Sequence, residues 1–108
     1  MAKYMIQASY TADGLKGLMK DKASGRLAAV TKAVEAAGGK LEAFYFSFGK
    51  ADAVIIADLP DNATAAAISL AASASGLARV TTTPLLTIEE ADRALTKKVA
   101  YRGPGQKR

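Results

Sequence analysis

Gly38-Gly39-Lys40-Leu41-Glu42-Ala43-Phe44-Tyr45-Phe46-Ser47-Phe48-Gly49-Lys50-Ala51-Asp52-Ala53-Val54-Ile55-Ile56-Ala57-Asp58-Leu59-Pro60 is the stretch that decides the fold. The glycine pair stops a preceding helix, because glycine takes the left-handed conformation of helix ends without steric penalty. Leu41 to Phe48 is rich in aromatics and alternates with the period of a strand. Leu41, Ala43, Tyr45 and Ser47 share one face; Glu42, Phe44, Phe46 and Phe48 share the other, and this phenylalanine face is the expected core. Gly49-Lys50-Ala51 turns the chain, and Asp52 to Leu59 returns as a strand apolar on both faces through its middle. Such a strand belongs at the centre of a sheet, covered on both sides, or at an interface.

Upstream, Lys3 to Tyr10 alternates, with Tyr4, Ile6, Ala8 and Tyr10 opposed to Met5, Gln7 and Ser9, so a first strand is expected. Thr11 and Asp13 offer helix-capping oxygens. Leu15, Leu18 and Met19 form a short helical stripe, Ser24-Gly25 interrupts it, and Leu27, Val30, Val34 and Ala37 mark a firmer helix ending at the glycine pair. Downstream, Pro60 breaks the strand, Asp61 caps, and the alanine-rich run from Ala63 to Ala74 is a helix by propensity, small enough in side chain to lie close on a sheet. Gly76 ends it. Leu77 to Leu86 is a fourth strand, with Pro84 marking an edge. Thr87-Ile88-Glu89-Glu90 is a capping box, and Ile88, Ala91, Leu95 and Val99 stripe a last helix that runs toward Gly103-Pro104-Gly105.

The order is βαββαβ with an extra C-terminal helix. Two βαβ halves meeting at a hairpin predict an α+β, ferredoxin-like sandwich, with one sheet and its helices on one face. Residues 1–102 are expected to form a single domain and 103–108 a basic, disordered tail. Neither parity of the strands is polar throughout, so two helices cannot hide Tyr4, Ile6, Tyr10, Tyr45, Val54, Ile56 and the phenylalanines together. A homodimer or larger homo-oligomer that stacks sheet on sheet is the expected remedy.

Composition narrows the chemistry. There is no cysteine and no histidine, which removes disulfides, thiolate metal sites, cysteine nucleophiles and the commonest general base near neutral pH. No metal site and no cofactor is expected, and the location expected of a cysteine-free chain without a secretory leader or membrane span is cytoplasmic. The formal charge of +5 is misleading. Lys97, Lys98, Arg102, Lys107 and Arg108 account for all of it, leaving the first 96 residues neutral. A short basic terminus is a solvated tail in the simplest reading, so neither nucleic acid nor membrane is the expected partner.

Several stretches together resemble the GYD-domain family. They are Tyr10-Thr11-Ala12-Asp13-Gly14-Leu15, Gly38-Gly39-Lys40-Leu41-Glu42, and Phe44 to Val54 across the hairpin. Leu59-Pro60-Asp61, Ser75-Gly76 and Thr81 to Glu90 continue the likeness, which covers nearly the whole domain up to the last helix. The resemblance implies a fold of the dimeric α+β barrel type and names no reaction. The glycine, tyrosine and aspartate of the family name fall on Gly49, Ala51 and Asp52, with Lys50 inside the turn, so alanine stands at the aromatic position.

Five residues are candidates for a site. Asp52, just after the turn, is a general base or ligand anchor in a functional role and a backbone-bonding turn residue in a structural one. Tyr10 and Tyr45 offer hydroxyls to a cavity, or pack. Arg26 and Arg79 offer bidentate guanidinium groups to a carboxylate, or pair on the surface. Gly38-Gly39 is no phosphate loop, since no helix start follows it. The leading expectation is an oligomeric protein binding a small organic ligand in a pocket near the open sheet or dimer seam. The alternatives are a cofactor-independent isomerase, decarboxylase or monooxygenase using Asp52 and a tyrosine, and an interaction module with no pocket.

Overall fold

A computed structural model describes residues 1–107. The described chain runs β1 (Ala2–Tyr10), α1 (Ala12–Ala36), β2 (Lys40–Phe46), β3 (Ala53–Leu59), α2 (Asn62–Ala74), β4 (Ala78–Leu85) and α3 (Ile88–Thr96). The four strands form one antiparallel sheet in the order β2-β3-β1-β4. It is an α+β protein with βαββαβ order and a third helix. β3 is central, and β4 with Pro84 is an edge.

Strand pairing sorts the side chains by face. Tyr4 lies opposite Ala57 and Pro84, Ile6 opposite Ile55 and Thr82, and Ala8 opposite Ala53 and Val80. These residues face α1 and α2, and Tyr4, Ile6, Ile55, Ala57, Leu59, Val34 and Ala65 form the buried core. Met5 opposite Ile56, and Gln7 opposite Val54, point the other way, away from the α1 and α2 residues that pack on Tyr4, Ile6 and Ile55. Covering one face of β3 and not the other leaves Ala53, Ile55, Ala57 and Leu59 buried but Val54 and Ile56 only half-buried.

The core is not the phenylalanine face expected from the hairpin. Phe44 packs at its margin and stacks on Phe46 with ring centroids 5.1 Å apart. Phe46 is on the outermost strand, and Phe48 lies beyond it, fully exposed. An edge strand has a neighbour on one side only, so its large residues keep solvent contact that central alanines lose. The parity of β2 also changes within the strand: the register shifts between Leu41 and Ala43, so Leu41 stands over Ala57 on the helix side while Ala43 stands over Ile56 on the open side. An extra residue in one strand turns the following side chains over, and this bulge puts Leu41 with Phe44 against the core.

The helix ends follow local chemistry. Thr11 caps α1, its hydroxyl accepting from Gly14 N at 3.2 Å, and Thr11 N donates to the Leu77 carbonyl at 3.0 Å. A side chain at position 14 would put its Cβ 1.9 Å from that carbonyl oxygen, so only glycine lets α1 dock on the turn before β4. At the other end Gly38, at φ 84°, and Gly39 donate to Glu35 O and Val34 O. These are the two bonds of a Schellman cap. The interruption of α1 falls at Lys22 (φ 65°, ψ 168°), two residues before the expected Ser24-Gly25.

Asp61 caps α2 by accepting from Thr64 N at 2.8 Å and Thr64 Oγ1 at 2.7 Å, and the same bonds hold its carboxyl below the ordinary range. Thr87 and Glu90 close the expected capping box on α3, with the Thr87 amide and hydroxyl holding Glu90 below its ordinary range. α3 stops at Thr96, because Lys97 is already extended (ψ 134°) and Val99 falls outside the helix. Ile88, Leu95, Val99 and Tyr101 are all exposed, and α3 packs substantially on no other element. The radius of gyration, 17.2 Å, exceeds the about 13 Å of a compact chain of this length. Arg108, the last residue of the basic tail, lies outside the described residues.

Candidate functional site

Between the helix-facing side of the sheet and the two helices lies a partly open chamber of about 380 Å³. Its floor is Ile6, Ala8 and Tyr10 of β1, Phe44 of β2, Ile55 of β3, and Ala78 and Val80 of β4. Its walls are Ala29, Val30, Ala33 and Val34 of α1 and Ile68, Ala71 and Ala72 of α2. Alanine explains the space. Where a leucine would fill the gap between helix and sheet, four of the seven wall residues end at Cβ. The small side chains of α2 therefore have two effects: Ala65 packs closely into the core, while Ala71 and Ala72 leave room.

One charged residue, Arg26, lines this chamber. It also lines a second cavity, of about 310 Å³, between the first part of α1 (Gly14, Gly17, Leu18, Asp21) and the α2–β4 turn (Ser75, Leu77). The two cavities share Tyr10, Arg26, Ala72 and Ala78, so Arg26 stands where they meet. Its Nη1 is 3.8 Å from Asp21 Oδ2, and its Nε is buried with no hydrogen-bond partner among the described residues. The break of α1 at Lys22 lies one turn before Arg26, so the chain on either side of Arg26 belongs to different cavities.

The five residues singled out in the sequence are thus separated. Tyr10 and Arg26 come together at the chamber. Tyr45 pairs with Val54 and Arg79 with Ser9, on the open face of the sheet. Asp52 lies at the strand ends, where its Oδ2 accepts from Tyr10 N at 2.8 Å and its own N donates to Ala8 O at 2.8 Å. Around it Ser47 N donates to Asp52 O at 2.8 Å, Ser47 Oγ to Ala51 O at 2.6 Å, and Ser9 Oγ to Lys50 O at 3.2 Å. The aspartate therefore ties the hairpin turn to the end of β1. Asp52 lines neither cavity.

Tyr4 was not singled out, and it is the most buried tyrosine, its hydroxyl donating to Asn62 Oδ1 at 2.5 Å. Its alternation with Ile6 and Ala8 was the available signal. The alanine walls had a signal too, the alanine run itself, but alanine spacing does not distinguish a close-packed helix from one that borders a void. On the open face, Lys3 bonds Glu42 of the bulge and Asp58 at 3.0 Å, and these two acceptors raise its ammonium above the usual lysine range.

The family model for the GYD domain matches residues 4–95. The chain belongs to the GYD-domain family. The match covers every element from β1 into α3, and it includes Gly14, through which α1 docks, and the Gly38-Gly39 pair that closes α1. No significant match was found among curated proteins or among solved structures. Among the described residues, no helix is long and apolar enough to cross a membrane.

Proposed function

We propose that this GYD-domain protein is a cytoplasmic, self-associating small-molecule-binding protein of the ferredoxin-like, dimeric α+β barrel kind. The observation that carries the binding role is the apolar chamber of about 380 Å³ between sheet and helices, within the size range of small-ligand sites and, like them, mostly apolar in its lining with few polar groups. This differs in place from the expected pocket at the open sheet or dimer seam. The open face, with Met5, Val54 and Ile56 half-buried and Tyr45 exposed, is left to a second copy.

Proton-transfer catalysis by Asp52 and a tyrosine finds less support, since the Asp52 carboxylate is held by the Tyr10 amide and lines neither cavity. A module without any pocket is disfavoured by the chamber itself. Nile red, a neutral apolar dye, tests the reading. Its fluorescence is expected to rise with the native protein, to fall several-fold in Ala72→Leu, which fills the chamber, and to persist in Ile56→Lys, which alters the open face. Loss in Ile56→Lys with retention in Ala72→Leu would contradict it.

A further inference from the structure

α3 and the residues after it carry two kinds of surface that the rest of the chain does not answer. By the 3.6-residue period, Ile88, Ala91, Ala94 and Leu95 share one arc of the helix, Glu89, Arg93 and Thr96 lie opposite, and Asp92 stands at the edge. Ile88 is 81% and Leu95 83% exposed, and Leu86 before the helix and Val99 and Tyr101 after it are exposed too. The helix carboxylates are largely spoken for: Glu90 closes the cap with Thr87, and Glu89 accepts from Arg93 Nη1 at 3.1 Å.

The chemistry that follows α3 says what the stripe faces. Lys97, Lys98, Arg102, Lys107 and Arg108 come without an acidic residue among them and hold the whole net charge of the chain. Among the described residues Lys97, Lys98, Arg102 and Lys107 form no ion pair, and Arg102 donates only to carbonyls of its own turn, those of Gly103 and Gln106. A second copy does not meet this charge, because residues 1–96 sum to zero. Nucleic acid would meet it through phosphates but has no use for Ile88, Leu95 and Val99. A bilayer with acidic headgroups is anionic and apolar at once, and it answers both.

We infer that α3 and the basic residues after it form a docking surface for an anionic lipid bilayer. Ile88, Leu95 and Val99 enter the boundary between headgroups and acyl chains, Lys97 and Lys98 meet lipid phosphates, and Glu89 faces water. Tyr101 stands between Lys98 and Arg102, at the headgroup level that suits a ring with a polar tip. The capping box forms the stripe before contact, so less order has to be gained on binding. Charge alone makes these residues a solvated tail; beside an uncovered apolar stripe they are half of a surface. The inference is independent of the chamber.

Co-sedimentation with vesicles tests it. The native protein is expected to bind vesicles of phosphatidylcholine mixed with phosphatidylglycerol at least about tenfold better than vesicles of phosphatidylcholine alone, and to be released by high salt. Replacing both lysines, Lys97→Gln with Lys98→Gln, should weaken binding to the mixed vesicles several-fold. Leu95→Ser should abolish it with the far-UV circular dichroism unchanged. Equal binding of the native protein to the two vesicles, or binding to neither, overturns the inference without recourse to any variant. Undiminished binding of Leu95→Ser overturns it as well. A molar mass that falls in Leu95→Ser by light scattering without vesicles would set the stripe against a second copy, and binding to duplex DNA but to no vesicle would make the lysines a nucleic-acid contact; either result contradicts it.

Discussion

Ile55 and Ile56 are adjacent in the chain and stand on opposite faces of β3. Ile55 lies in the core and lines the chamber, whereas Ile56 lies half-buried on the face turned away from α1 and α2. The covered face owes its order to contacts inside the chain: Val34 and Ala65 from the helices meet Tyr4, Ala57 and Leu59 from the strands. Its imperfection is a gap walled by alanine. The open face has the reverse economy, with apolar side chains flanked by the Lys3–Glu42–Asp58 ion cluster at one end and threonines on β4. The difference teaches that equal hydrophobicity on two faces does not mean equal packing. One face completes the fold and leaves a cavity; the other keeps its apolar side chains half-buried, with neither α1 nor α2 over them.

The comparison breaks most readily by substitution on each side. Leu59→Ala removes a fully buried side chain and is expected to lower stability by about 2–5 kcal/mol in denaturant unfolding, whatever the protein concentration. Ile56→Lys should instead leave the far-UV circular dichroism intact and convert an oligomer to a monomer by light scattering. If Ile56→Lys unfolds the chain while Leu59→Ala is neutral, the assignment of faces is wrong. Gly14→Ala drives a methyl into the Leu77 carbonyl and should lower stability by about 1–3 kcal/mol, as overpacking does.

A smaller effect has the opposite sign. Lys22 holds a backbone conformation that only glycine takes freely, so Lys22→Gly is expected to stabilise the protein by about 1 kcal/mol in the same assay. If it destabilises, Lys22 is not strained and the break of α1 has another cause.

The smallest effect is in pH. Asp61 and Glu90 are depressed by their capping bonds to Thr64 and Thr87. Groups whose folded pKa lies below the unfolded value add stability that is present above the ordinary carboxylate range. That increment should disappear as the pH falls through the range and below it. Asp61→Ala should flatten this part of the stability profile, and an unchanged profile would remove the cap from the account. Lys3 works at the other end: its pKa is raised, so its contribution is present below the usual lysine range and lost as the pH rises past it.

The elements were legible because their signals are local. Alternation in β1 and β3, the alanine run of α2, the glycine pair and the capping box each depend on neighbours within a few residues. The strand bulge was not legible: Leu41 reads as a partner of Ala43 and Tyr45, and only pairing with β3 shows that it turns toward Phe44. The phenylalanines misled for a related reason, since burial depends on whether a strand is central, and sequence carries the side chain without its address in the sheet. Of the candidate residues, Tyr10 and Arg26 share a site because a strand end and a kinked helix converge, a distance of sixteen residues in sequence that no spacing rule measures. The break at Lys22 rather than at Ser24-Gly25 is left without a local explanation by the residues around it.

The five isoleucines are well placed to decide between the faces. Ile6, Ile55 and Ile68 line the chamber, Ile56 is on the open face, and Ile88 is exposed on α3. Protein labelled at the isoleucine methyls and titrated with Nile red should give nuclear Overhauser contacts from the dye to Ile6, Ile55 and Ile68, and none to Ile56 or Ile88. Contacts confined to Ile56 or Ile88 would place the ligand outside the chamber and contradict the account.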